Sequence, residues 1–256
     1  MSGAIARLPL NRVINEPAEP VLRITVGVLA ALIRRITHQD WRGREKIPAT
    51  GGVLFVVNHI SNFDPLAYGH FLTWAGRWPR FLAKEAIFRA PIVGWIASRS
   101  GQIEVRRGGP EAAAAVDAAI RAIEAGQGVT IYPEGTITAD PLTWPMTGRT
   151  GAARVALQSG CPVIPIGQWG AQEILPGKKL TRPRLWPKRT MRVLAGNPVE
   201  LDDLRAVPMS EAVLDEATDR ILDAITELVA ELRQERPPPG RWDMRSGRRV
   251  RAGEED

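Results

Sequence analysis

Apolar positions recur along this chain with two periods, and the first clear block is helical. Within Pro20–Ile36, the residues Leu22, Val26, Leu29, Ile33 and Ile36 form one wide apolar face, while Arg23, Gly27, Ala30 and Arg34 fall on a narrow stripe. The uncharged run Ile24–Ile33 covers ten residues, about 15 Å as a helix against roughly 30 Å of bilayer hydrocarbon. The pattern predicts an amphipathic helix that does not span a membrane. Packing against the rest of the fold and lying in a membrane interface both satisfy it.

From Gly51 onward, short apolar runs alternate with helical periodicity. Strands are expected at Val53–Val57, Arg80–Ala83, Gln102–Val105, Val129–Pro133, Val163–Gly167 and Met191–Ala195. Helices are expected at Pro65–Trp74, Pro91–Ser98, Pro110–Ala125, Gly148–Gln158 and Ser210–Glu235. This alternation predicts an α/β fold, a sheet covered by helices. Leu214, Ile221, Ile225, Leu228 and Leu232 pattern the last helix for core packing. The strand after Cys161 contains Pro162 and Pro165, and prolines cannot donate to a ladder, so an edge or irregular strand is expected there. Pro237-Pro238-Pro239-Gly240 ends the last helix, and a mobile Arg-rich tail is expected beyond it. The expected organisation is a basic, amphipathic segment 1–46, a body 47–235 and a tail 236–256.

The chain of 256 residues is long enough for one large domain. Its net charge of +6 is unevenly placed. Segment 1–46 has eight Lys/Arg and four Asp/Glu, segment 236–256 has six and four, and the body has twenty of each sign. A nucleic-acid binder would carry its excess on a folded face. Basic ends beside an apolar helix point instead to an anionic membrane surface. The single cysteine excludes an internal disulfide and fits a reducing compartment. No N-terminal stretch has signal-peptide character. Three scattered histidines and one cysteine give no metal-ligand spacing, so no metal is expected.

The run Asn58-His59-Ile60-Ser61-Asn62-Phe63-Asp64-Pro65 joins the first strand of the body to its first helix. An Asp on that turn can hold one imidazole nitrogen while the other faces a substrate hydroxyl, the arrangement a general base needs. An Asp before Pro is also a common helix N-cap, the better reading of Asp64 taken alone, whereas the pair on one turn favours catalysis and the motifs downstream decide. Gly101-Gln102-Ile103-Glu104-Val105-Arg106-Arg107 ends a strand on two arginines that could present a planar fork to a phosphate or simply be solvated. Tyr132-Pro133-Glu134-Gly135-Thr136 ends another, where a glycine lets a ligand approach the backbone. Cys161 opens an apolar strand and reads as a buried thiol. No Gly-x-Ser-x-Gly elbow is present to support an acyl-enzyme route.

In this order and at these distances, the four runs resemble the glycerolipid acyltransferase family, and within it the 1-acyl-sn-glycerol-3-phosphate acyltransferases, over about residues 40–200. His59 and Asp64 match its first motif, with Ser61 also fitting. Gly101 and Arg107 match the second, Pro133–Thr136 the third, and Pro162–Ile166 the fourth. Where the family usually continues the third motif with Arg-Ser, this chain has Ile137-Thr138. The resemblance implies a mixed, mostly parallel sheet flanked by helices. It implies transfer of a fatty acyl group from acyl-CoA or acyl carrier protein to lysophosphatidic acid, without a cofactor. His59 would be the base and Asp64 its orienting partner. Lys84, Arg107, Ser61 and the turn Glu134-Gly135-Thr136 would bind substrate. The expected location is peripheral or monotopic, on the cytoplasmic face of the cell membrane. Glycerol-3-phosphate or another lysolipid is the alternative acceptor. A catalytically silent membrane-surface binding protein is the alternative of another class, and the intact His59/Asp64 pair argues against it.

Overall fold

The structure, a computed structural model, describes residues 13–14, 16–105, 109–178 and 181–250, with side chains described for all of these except 109–112. Its centre is the strand β2 (Val53–Val57), buried at every position. That is what a run of consecutive large apolar residues dictates, since both faces must be covered. Its neighbours are β5 (Gly128–Ile131) and β6 (Val163–Trp169), both parallel to it. Next to β6 lies β7 (Arg189–Ala195), antiparallel, and the edge strand β1 (Thr37–Arg42) pairs with β7 in parallel. The sheet order is therefore β1-β7-β6-β2-β5, mostly parallel with one antiparallel pairing. An isolated bridge between Phe81 and Thr130 carries it towards a small parallel pair, β3 (Leu82–Lys84) and β4 (Ile103–Val105).

Helices cover both faces, as parallel strands require. On one face α5 (Gly109–Glu124), α6 (Gly151–Ser159) and α8 (Glu211–Arg233) close a core around Leu54, Val56, Val129, Val163, Ile221 and Ile225. The hydroxyl of Ser210 accepts from the Val213 N–H and caps α8. Gly167 is needed there, because a Cβ would meet Leu228 Cβ at 2.7 Å. The other face is covered by α2 (Asp64–Trp74), whose Tyr68, Phe71 and Leu72 pack on Phe55, Ile164 and Val193. Outside it lies α1 (Pro20–Ile36), which buries Leu22, Val26, Ala30 and Ile33. Between β3 and β4 run α3 (Glu85–Arg89) and α4 (Pro91–Arg99), and α4 packs against α1. The short α7 (Asp202–Arg205) precedes α8.

Two expectations are corrected, and one strand was not anticipated. β6 is an interior strand, not an edge. Pro165 is tolerated because its carbonyl accepts from Gly196 just beyond the last β6–β7 pair, Ile166–Ala195, so its missing N–H also falls outside that ladder. Thr37–Arg42 is a strand, although its polar sequence carries no period-two pattern; as an edge it buries only one residue. The tail expected to be mobile beyond Pro239 instead forms a hairpin as far as Val250, from β8 (Arg241–Asp243) and β9 (Arg248–Val250). Arg241 pairs with Asp219 and Asp223 of α8, and Arg249 binds the buried Asp140 at 2.6 Å.

Candidate active site

Because β2 and β5 are parallel and in register, Val56 opposite Ile131, their C-terminal ends emerge side by side. That end of a parallel sheet is where ligand sites form. β2 delivers His59, and β5 delivers the turn Tyr132–Thr136. His59 Nδ1 lies 2.8 Å from Asp64 Oδ2. The same carboxylate oxygen accepts the N–H groups of Ile60 at 2.6 Å and Ser61 at 2.8 Å. Asp64 is the first residue of α2 and fully buried, and its carboxylate turns back on the preceding loop instead of capping its own helix. The N-cap reading is thereby excluded. Burial pushes the Asp64 carboxyl up, against the opposing pull of His59 and the two N–H groups. Asp64 fixes the imidazole as an Nδ1–H donor, which leaves the Nε2 lone pair on the ring's remaining edge. The side chain is 16% exposed and lines a cavity. The arrangement can accept a proton from a hydroxyl held there.

Neighbouring residues hold His59 from several sides. Its ring stacks on Tyr132, with centroids 4.2 Å apart. Its N–H donates to Glu134 Oε1 at 2.8 Å, and its carbonyl accepts from the Thr138 N–H at 2.7 Å. Glu134 Oε2 accepts from the Met146 N–H at 3.1 Å. Burial, with Asp64 close by, pushes the Glu134 carboxyl up to about 8, although both N–H donors oppose it. Asn58 and Gln168 exchange three hydrogen bonds and tie the end of β2 to β6.

The cavity has a volume of about 1070 Å³, at the upper limit of the roughly 300–1,000 Å³ of small-molecule sites. From His59 and Gly135 it passes Tyr132 and Phe81 and runs between α1, α2 and α4 along apolar side chains such as Leu29, Leu66 and Ile96. Of the remaining residues expected at the substrate, Lys84 and Gly135 line this cavity. Thr136 is half-buried on the same turn. Ser61 instead points into the protein, donating to Leu175 O at 2.7 Å and accepting from the Phe63 N–H at 2.9 Å. Glu134 likewise spends both oxygens on backbone. Arg107 lies outside the described residues. His70 also lines the cavity, but burial, then Arg34, pushes its imidazole down to about 4. Cys161 is buried and free, and burial pushes its thiol up. Sequence reasoning missed Tyr132 as the ring under His59, Gln168 as the lock of Asn58, and Arg149, whose side chain lies against Gly135. No local pattern in the sequence pointed to any of these.

Comparison with known proteins identifies a family and a fold. The family described as Acyltransferase matches residues 38–169. A chloroplastic 1-acyl-sn-glycerol-3-phosphate acyltransferase of Brassica napus is 32% identical over 141 residues, 54% of this chain and 39% of that one. A 1-acyl-sn-glycerol-3-phosphate acyltransferase of Borreliella burgdorferi is 32% identical over 125 residues, 48% of each chain. The matched stretch is thus less than half the length of either relative. The crystal structure of the 1-acyl-sn-glycerophosphate (LPA) acyltransferase PlsC from Thermotoga maritima superposes with a TM-score of 0.62 at 19% identity, covering 93% of this chain and 90% of that one. The two share a fold.

Proposed function

The chain belongs to the acyltransferase family, and from that premise we propose that it transfers a fatty acyl group from a thioester, acyl-CoA or acyl carrier protein, to the free hydroxyl of 1-acylglycerol-3-phosphate, giving phosphatidic acid. The observation that carries this reading is the His59–Asp64 pair at 2.8 Å on the wall of a long apolar cavity. His59 Nε2 takes the hydroxyl proton as the oxygen attacks the thioester carbonyl. The C–S bond then breaks, and the imidazolium returns the proton to the thiolate. Asp64 stabilises the imidazolium and keeps the tautomer fixed. Lys84, Gly135 and Thr136 belong to the acceptor's surroundings, the resemblance adds Arg107 as a substrate-binding residue, and Ser61 and Glu134 act by holding the turns that carry His59.

Both substrates carry apolar tails, and the surface around the cavity suits a bilayer. Ile24, Val28 and Leu32 form an exposed stripe on α1, and Ile92, Val93 and Trp95 of α4 are also exposed. Arg23 and Arg35 flank the α1 stripe. No helix among the described residues is long and apolar enough to cross a membrane. We therefore read the protein as one that docks peripherally on an anionic leaflet, on the cytoplasmic face.

Ile137 favours keeping a second acceptor in view. It is buried in the core at 5% exposure, in the place where the resemblance expects an arginine, so glycerol-3-phosphate or another lysolipid is the alternative. The deciding assay is thiol release from palmitoyl-CoA with and without a panel of acceptors. Release stimulated by lysophosphatidate supports the reading. Acceptor-independent release, or none from either palmitoyl-CoA or palmitoyl-acyl carrier protein, would sink it.

A further inference from the structure

On the acyltransfer reading, the geometry points to Arg149 as the cation that binds the phosphate of the acceptor. Ile137 is turned into the core and offers no charge. Across the same turn, the Arg149 side chain lies against Gly135: a Cβ on that glycine would stand 3.0 Å from Arg149 Cδ and 3.1 Å from Nε. Gly135 has φ +67°, in the left-handed region, so it is a glycine both for its backbone and for this close approach. Arg149 also lines the cavity that contains His59.

The arginine's backbone is fixed on three sides. Its N–H donates to Pro133 O at 2.9 Å, and the N–H of Thr147 donates to Trp242 O of the hairpin at 3.0 Å. At Gly148 between them the loop lies against α8, where a Cβ would stand 3.0 Å from both Leu222 Cδ1 and Thr218 Cγ2. The guanidinium itself has no hydrogen bond or ion pair to any described residue. A positioned arginine without a counter-charge, at the wall of an active cavity, suits an anion with several acceptor oxygens.

Two phosphates reach such a site, that of the acceptor and those of the donor's carrier. Chemistry favours the acceptor. In a glycerol 3-phosphate ester, the phosphate hangs on the carbon beside the attacked hydroxyl, so it must lie close to the base. The carrier's phosphates are separated from the thioester by the whole pantetheine arm. Gly135 adjoins Glu134, whose carboxylate holds the His59 N–H, which places Arg149 on the near side.

Binding tests this without turnover. Calorimetric titration of the full chain would compare a short-chain lysophosphatidate, the uncharged monoacylglycerol of the same chain length, and palmitoyl-CoA. The wild-type protein is expected to bind the phosphorylated lipid more tightly than the uncharged one by about 10- to 100-fold, the usual worth of a hydrogen bond to a charged group. Arg149→Ala should lose about tenfold or more of that preference, and Arg149→Lys should keep more of it. Arg149 is exposed, so these variants leave no buried void; circular dichroism checks the fold, and Arg149→Gln repeats the test with the stem retained. A preference that survives undiminished in Arg149→Ala and Arg149→Gln overturns the assignment. So does an absent preference in the wild type, or a loss that falls on palmitoyl-CoA instead. In parallel, failure of the wild type to acylate lysophosphatidate would overturn the proposed reaction while the titrations still report on the phosphate site.

Discussion

At the scale of single residues, one carboxylate oxygen organises the site. Asp64 Oδ2 holds the imidazole and two backbone N–H groups at once. His59→Ala is expected to lower kcat by about 10² to 10⁴, the usual worth of general-base catalysis, while the protein still folds with a cooperative melt, because two backbone N–H groups still hold Asp64. Steady-state kinetics beside a thermal melt will check both parts, and near-normal turnover in a folded His59→Ala protein would refute the mechanism. Asp64→Ala should cost stability as well as rate, since it strands buried donors at about 1–3 kcal/mol each. Glu134 gives a pH prediction. Its carboxyl is raised from 4.5 to about 8, so the folded state holds that proton more tightly than the unfolded chain. The stabilisation is complete below about pH 4.5 and is lost as pH rises through about 8. Urea unfolding across this window should show a slope that Glu134→Gln flattens; an unchanged slope would count against a buried, protonated Glu134. The His59/Asp64 pair was legible in the sequence because both residues lie on one turn, five positions apart. The part played by Glu134 was not, because it lies 75 residues away and meets His59 only through the register of β2 with β5.

At the scale of elements, α1 serves two surfaces with one apolar pattern. Leu22, Val26, Ala30 and Ile33 pack on the fold, while Ile24, Val28 and Leu32 face outward at 68, 64 and 53% exposure. Replacing those three by Glu should leave the melting temperature nearly unchanged but weaken co-sedimentation with anionic vesicles. It should also lower activity on long-chain substrates more than on short soluble ones. Salt should weaken wild-type binding only in part, because apolar burial is not screened. If the triple variant sediments like the wild type, the membrane contact lies elsewhere. The interior strands were readable because burial on both faces demands uninterrupted apolar residues, as in Val53–Val57. β1 was not readable, since an edge strand half in solvent tolerates Thr-His-Gln-Asp-Trp-Arg. β6 was misread for a related reason: whether a proline disrupts a ladder depends on which neighbour it faces.

At the scale of the whole molecule, the hairpin of β8 and β9 closes onto the loop behind the turn Tyr132–Thr136. Arg249 binds the fully buried Asp140, and Thr147 joins the same hairpin through Trp242. Arg249→Ala should destabilise the protein by about 2–3 kcal/mol, because it leaves a buried carboxylate with fewer partners, and should impair acceptor use more than donor use. Denaturant unfolding and the two KM values decide it; a loss below about 0.5 kcal/mol would make the contact a surface ion pair of ordinary weight. The sequence by itself determined the alternation of strands and helices, the amphipathic helix α1, and the four runs that identify the family, because these rest on periodicity and on residues close together in the chain. Tertiary structure alone decided that Ser61 and Glu134 serve as supports, that Arg149 stands beside Gly135, and that the Arg-rich end folds back on α8 and Asp140. Those outcomes depend on strand order, register and the closure of long loops, which bring together residues that no local pattern links.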